Sequence, residues 1–76
     1  MIRHRRTTEV NAALKTARAY VGEIDDYDLS IMSEEHLVGW NTIEISYYSS
    51  PPVLGGDIHI VIDRTTGKIV DTRLGQ

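Results

Sequence analysis

The chain has 76 residues, no cysteine and a net charge of −3, from 8 Lys and Arg against 11 Asp and Glu. That length leaves room for one domain, and the lack of cysteine excludes a disulfide framework, a thiolate metal site and a thiol nucleophile. The hydrophobic fraction of 41% and charged fraction of 25% fit a soluble globular domain, and no apolar run approaches the roughly 18 residues of a membrane span.

Arg3, Arg5 and Arg6 make residues 1–7 a basic arm, expected to be mobile, ahead of a single domain over residues 8–76. No apolar stretch follows the arm, so no export signal is expected and the expected compartment is the cytoplasm. Thr7-Thr8-Glu9 opens a helix, either threonine serving as its cap and Glu9 lying in the first turn. Val10, Ala13, Leu14, Ala17 and Val21 recur at helical spacing, which predicts a helix over about residues 8–21. Gly22 is placed to end it, and the two alanines suit a close approach to a sheet.

From Tyr27 the period changes to two. Tyr27, Leu29 and Ile31 alternate with Asp28, Ser30 and Met32, the pattern of a half-buried strand. Ser33-Glu34-Glu35-His36 reads as a polar turn that Gly39 closes. A second strand is expected from about Trp40 to Tyr48, with Ile43, Ile45 and Tyr47 on one face and Thr42, Glu44, Ser46 and Tyr48 on the other. Ser49-Ser50-Pro51-Pro52 interrupts the ladder, and Gly55-Gly56-Asp57 leads into a third strand, Ile58 to Ile62. Asp63 to Lys68 form a hairpin loop in which Gly67 supplies a positive φ. The last strand runs from Ile69 to about Leu74. One register sets Ile62 against Val70 and Ile58 against Leu74; a longer loop turns Ile69 inward instead. The expected fold class is α+β: one N-terminal helix packed on a four-stranded antiparallel meander that curves around it in the manner of cystatin-like folds.

Charge is distributed unevenly. Ala19 to Asp63 contain no Lys or Arg but carry Glu23, Asp25, Asp26, Asp28, Glu34, Glu35, Glu44, Asp57 and Asp63. Such a stretch serves either as a solvated face that keeps a small protein dispersed or as a footprint for a basic partner. Direct binding of nucleic acid is not expected, because the only basic cluster is the short arm.

The second half also carries a resemblance. Trp40 precedes a strand, Gly55-Gly56 enters Ile58-His59-Ile60-Val61-Ile62-Asp63, and Thr66-Gly67-Lys68-Ile69 turns into the last strand. With the alanine-striped helix in front, this resembles the small bacterial immunity proteins of toxin–immunity systems, which have a cystatin-like or nuclear-transport-factor-like fold. The likeness covers roughly residues 8–76 and rests mostly on turn chemistry. A Thr-Gly-Lys hairpin is shared with peptidase-propeptide-like domains. The resemblance implies an inhibitor without catalysis of its own that binds and neutralises a cognate basic toxin domain, such as a nuclease.

The candidate chemical groups are weaker. His59 lies mid-strand near Asp57, Asp63 and Asp71, an acid–base or metal-ligand combination, yet alternation turns it away from the core, where a surface histidine is the commoner case. Asp63 is placed to bond turn amides. Ser49 and Ser50 lack a nucleophile elbow, and Gly55-Gly56 has no following helix to cradle phosphate. Asp25-Asp26-x-Asp28 lacks the glycine and final glutamate of a calcium loop. No catalytic residue, cofactor or metal is therefore expected. The expected partner-binding residues are Asp25, Asp26, Glu34, Glu35, Glu44, Tyr48 and Asp57. Trp40 either joins them or lids one end of the core. The expected partner is a basic protein, with neither nucleic acid nor membrane bound directly, and a weak homodimer through an open sheet edge or the uncovered face. The alternatives are an inhibitor, adaptor or nucleic-acid mimic of phage or mobile-element type, and a small ligand-binding or enzymatic cystatin-like domain.

Overall fold

The computed structural model describes residues 7–23, 31–49 and 56–74. Helix α1 spans Thr8–Gly22. Thr7 is its cap: the hydroxyl accepts the Val10 N–H at 3.1 Å, which satisfies one of the amides a helix start leaves over. The far end differs from expectation. Gly22 belongs to the last turn, Glu23 follows in right-handed conformation, and its N–H bonds the Tyr20 carbonyl at 3.1 Å. Gly67, with φ of 74°, is the only positive-φ residue among those described.

Four strands follow: β1 (Met32–Val38), β2 (Thr42–Ser49), β3 (Ile58–Asp63) and β4 (Ile69–Leu74). They pair antiparallel in the order β1-β2-β3-β4. The sheet is an open meander with α1 against one face, so the α+β class holds. The core is formed by Val10, Ala13, Leu14, Ala17 and Val21 of the helix with Ile43, Ile45, Tyr47, Ile58, Ile60 and Ile62 of the two central strands. Ala13 and Ala17, both buried, let the helix backbone approach the isoleucines closely.

The first strand is where expectation and structure part. Ser33-Glu34-Glu35-His36, read as a turn, lies in the middle of β1. The real turn is Gly39-Trp40-Asn41, so Trp40 precedes β2 instead of opening it. The predicted strand over Tyr27–Ile31 falls on residues outside the described set, apart from Ile31, which is exposed. In the last hairpin both predicted registers are realised in part. Ile58 pairs with Leu74, while a shift between Val61 and Ile62 sets Ile62 against Ile69 and leaves Val70 without an opposite residue. This bulge turns Ile69 partly into the core.

Candidate functional site

The face of the sheet away from α1 carries no covering element among the described residues. Strand alternation fills it. One transverse row reads Leu37, Glu44, Val61, Asp71; the next reads Glu35, Ser46, His59, Arg73; Ser33 and Tyr48 pair beyond it. Glu35, Glu44, Tyr48 and Asp57, four of the expected partner-binding residues, gather on or beside this face. Glu34 does not: neighbouring strand residues point to opposite sides, so it faces the helix. There Arg18 donates to it from Nε at 2.8 Å and Nη2 at 2.5 Å, and the Tyr47 hydroxyl donates at 2.7 Å. Asp25 and Asp26 lie outside the described residues.

His59 is the centre of the face. Its Nε2 is 2.6 Å from Asp57 Oδ2 and its Nδ1 is 2.8 Å from Ser46 Oγ. Glu44 Oε2 lies 3.6 Å from Nδ1 and 3.5 Å from the Ser46 hydroxyl. An ionised Asp57 only accepts, so Nε2 donates. In the neutral ring Nδ1 accepts from Ser46; in the cation it donates, and the serine proton turns to Glu44. Tyr48 meets the imidazole edge-on, with centroids 5.7 Å apart. The result is a tyrosine and an imidazole fixed in orientation beside two carboxylates, with Arg73 across the strand from His59.

Serine, histidine and aspartate in one hydrogen-bonded chain invite comparison with nucleophilic catalysis. The geometry around them does not support that chemistry. Ser46 is only 6% exposed, so its hydroxyl is closed to a substrate carbonyl. Backbone amides at mid-sheet lie in the sheet plane and are taken by the ladder, so none points outward to hold an oxyanion. No group of three acidic or histidine side chains among the described residues has metal-binding geometry. Ser46 was the member sequence reasoning passed over. Its signal was its place between Glu44 and Tyr48 on the outer side of β2.

Trp40 is 90% exposed in the β1–β2 turn, and Leu37, on the outer face of β1, is 70% exposed. The tryptophan is no lid on the core. Its turn is nonetheless braced. Gly39 N–H bonds the Thr42 carbonyl at 2.7 Å, Arg64 N–H bonds the Asn41 carbonyl at 2.9 Å, and Arg64 Nη1 donates to the Gly39 carbonyl at 2.9 Å. Arg64 Nη2 reaches Glu9 on the helix at 2.7 Å.

A cleft of about 270 Å³ lies on the helix side, between the start of α1 and the β3–β4 hairpin, with Ala12, Ile43 and Ile62 among its lining residues. Its acidic groups are engaged. Glu9 holds Arg64, and Asp63 Oδ1 accepts the Thr65 and Thr66 amides at 2.7 and 2.9 Å. Those two amides hold the Asp63 carboxyl below the usual carboxylate range, Thr66 contributing most. Asp63 therefore does the turn-forming work expected of it. No helix among the described residues is long and apolar enough to cross a membrane. No protein-family model, curated protein or solved structure matches the chain.

Proposed function

We propose that this protein acts by binding, as an immunity-type inhibitor that takes a basic toxin domain on its outer sheet face. The observation that carries the reading is that face. Asp57 and Glu44 flank the His59 imidazole against which Tyr48 packs, Glu35 and Arg73 complete the row through His59, and no described element covers them. Carboxylates arranged this way draw a positively charged partner and speed its encounter. Tyr48, Leu37 and Trp40, the last on a turn whose backbone is braced, supply large contacts of the kind that hold a partner once docked. A nuclease domain, which must attract phosphate, presents a suitable basic surface.

The test is paired capture with immobilised wild type and a variant carrying Glu35→Lys and Tyr48→Ala, against a control variant altered at Lys15 on the exposed side of α1. The expected result is a basic protein retained by wild type and by the control, lost from the outer-face variant, and inhibited in its own activity by wild type. Retention of the same protein by all three would overturn the outer-face assignment. A captured partner whose activity is unaffected would overturn inhibition.

A further inference from the structure

We infer that the β4 edge is the interface of a symmetric homodimer, in which the β4 strands of two copies pair antiparallel about Thr72. Among the described residues β4 is an edge of the meander, and alternate residues of such a strand direct their N–H and C=O groups away from the sheet. An edge of this kind accepts another strand; its side chains decide which one.

The side chains of β4 select a second copy of themselves. The segment reads Val70-Asp71-Thr72-Arg73-Leu74. In an antiparallel pair centred on Thr72, each Asp71 stands opposite the other copy's Arg73. The two threonines face one another, and each Leu74 comes up to the bulged end of the other strand at Val70. The two Asp–Arg pairs and the threonine pair are of kinds that stabilise cross-strand pairing. Val70 and Leu74 are 57% and 60% exposed, so the monomer leaves both largely to water. Asp71 and Arg73 lie on the outer face, opposite Val61 and His59. Among the described residues Arg73 makes long ion pairs, 3.7 Å to Glu44 and 3.6 Å to Asp71, so little is given up there when it turns to a new carboxylate. The centre at Thr72 lies in the regular part of β4, past the bulge at Val70.

The neighbouring registers are unfavourable. Centring on Asp71 sets two carboxylates against each other, and centring on Arg73 sets two guanidiniums together. A centre between residues would oppose side chains pointing to different faces. The other edge lacks this symmetry, since the middle residue of β1 is Glu35, which would meet its own copy. Pairing about Thr72 uses each β4 edge once, so the assembly closes as a dimer. Both helices then lie on one side of a continuous sheet, and both outer faces on the other. The inference holds whatever partner the outer face takes.

The test is sedimentation velocity of the full chain across micromolar to high-micromolar concentration, with far-UV circular dichroism to verify folding of each variant. Wild type is expected to show a dimer fraction that rises with concentration. Asp71→Arg or Arg73→Asp alone should return it to monomer, since each creates two like-charge pairs. The doubly swapped chain, or an equimolar mixture of the two single variants, should recover the dimer. Because the chain has no cysteine, Thr72→Cys gives a single thiol that should oxidise to a covalent dimer, whereas Thr65→Cys in the hairpin loop should not. Monomer throughout would overturn the proposal. So would a dimer indifferent to the charge swaps, or a ladder of higher species, which would indicate β4 pairing with β1 of the next copy.

Discussion

Tyr47 joins three elements through one side chain. Its ring is buried in the core and its hydroxyl donates to Glu34, which also holds Arg18. Burial, followed by the hydrogen bond to the Glu34 carboxylate, raises its pKa well above the ordinary tyrosine value. A raised folded pKa means the stabilisation is fully present below the unfolded value of about 10 and is lost as pH rises toward the folded one. Tyr47→Phe should cost about 1–2 kcal/mol at neutral pH, measured by urea denaturation. The gap to wild type should close above about pH 10; a gap constant with pH would refute the assignment. Asp63 has the opposite sign. Its folded pKa is lowered, so its contribution is present at neutral pH and fades as pH falls below about 4. Asp63→Ala should melt lower than wild type at pH 7, with the two curves converging in acid.

At the scale of elements, α1 contributes five buried residues and Leu14 is the largest of them. Leu14→Ala should cost about 2–5 kcal/mol, enough to unfold a large fraction of so small a domain, and calorimetry would register an unchanged midpoint if Leu14 were peripheral. The helix and the two central strands were legible because burial imposes a period. Val10 to Val21 recur at helical spacing and Ile43 to Tyr47 alternate. β1 was not legible for the converse reason. As an edge strand it buries none of its residues fully, and its charges guard the edge instead of marking a core face. Glu34 looked like surface because its partners, Arg18 and Tyr47, are 16 and 13 residues away in sequence. The candidate face was legible in Glu44 and Tyr48, which alternation turned outward, and in Asp57, read as a loop carboxylate before the third strand. The chain from Ser46 through His59 to Asp57 was not, since it depends on the register between β2 and β3.

Across the whole molecule the described carboxylates divide between two faces, with Arg73 also on the outer one. Glu34 and Glu9 are held by Arg18 and Arg64 on the helix side, while Glu35, Glu44 and Asp57 belong to the outer side. Changing these last three to Gln or Asn should cost little stability at Glu35, which is exposed, and more at Asp57 and Glu44, which bond or flank His59. It should slow association with a basic partner at low salt, and the loss should shrink as the screening length falls toward about 8 Å at physiological ionic strength. Tyr48→Ala should instead speed dissociation with little salt dependence. Stopped-flow mixing at two ionic strengths separates the two effects, and equal on-rates at low salt would reduce the carboxylates to a solvated face.

The meander has a kinetic consequence. Each strand finds its partner in the next strand along the chain, so forming the sheet never requires distant segments to search for each other. Short closures carry a small entropic barrier, and topologies of this kind fold faster than those with crossed pairings. The β3–β4 closure is held by its own turn chemistry, where Gly67 keeps its positive φ and Asp63 caps the turn amides. Gly67→Ala should cost about 1–2 kcal/mol from backbone strain alone, as nothing crowds the new methyl. If this hairpin is the nucleus, nearly all of that cost will appear as slower refolding, whereas Leu14→Ala will act mainly by hastening unfolding. A chevron in which the two variants exchange these arms would place the nucleus at the helix instead.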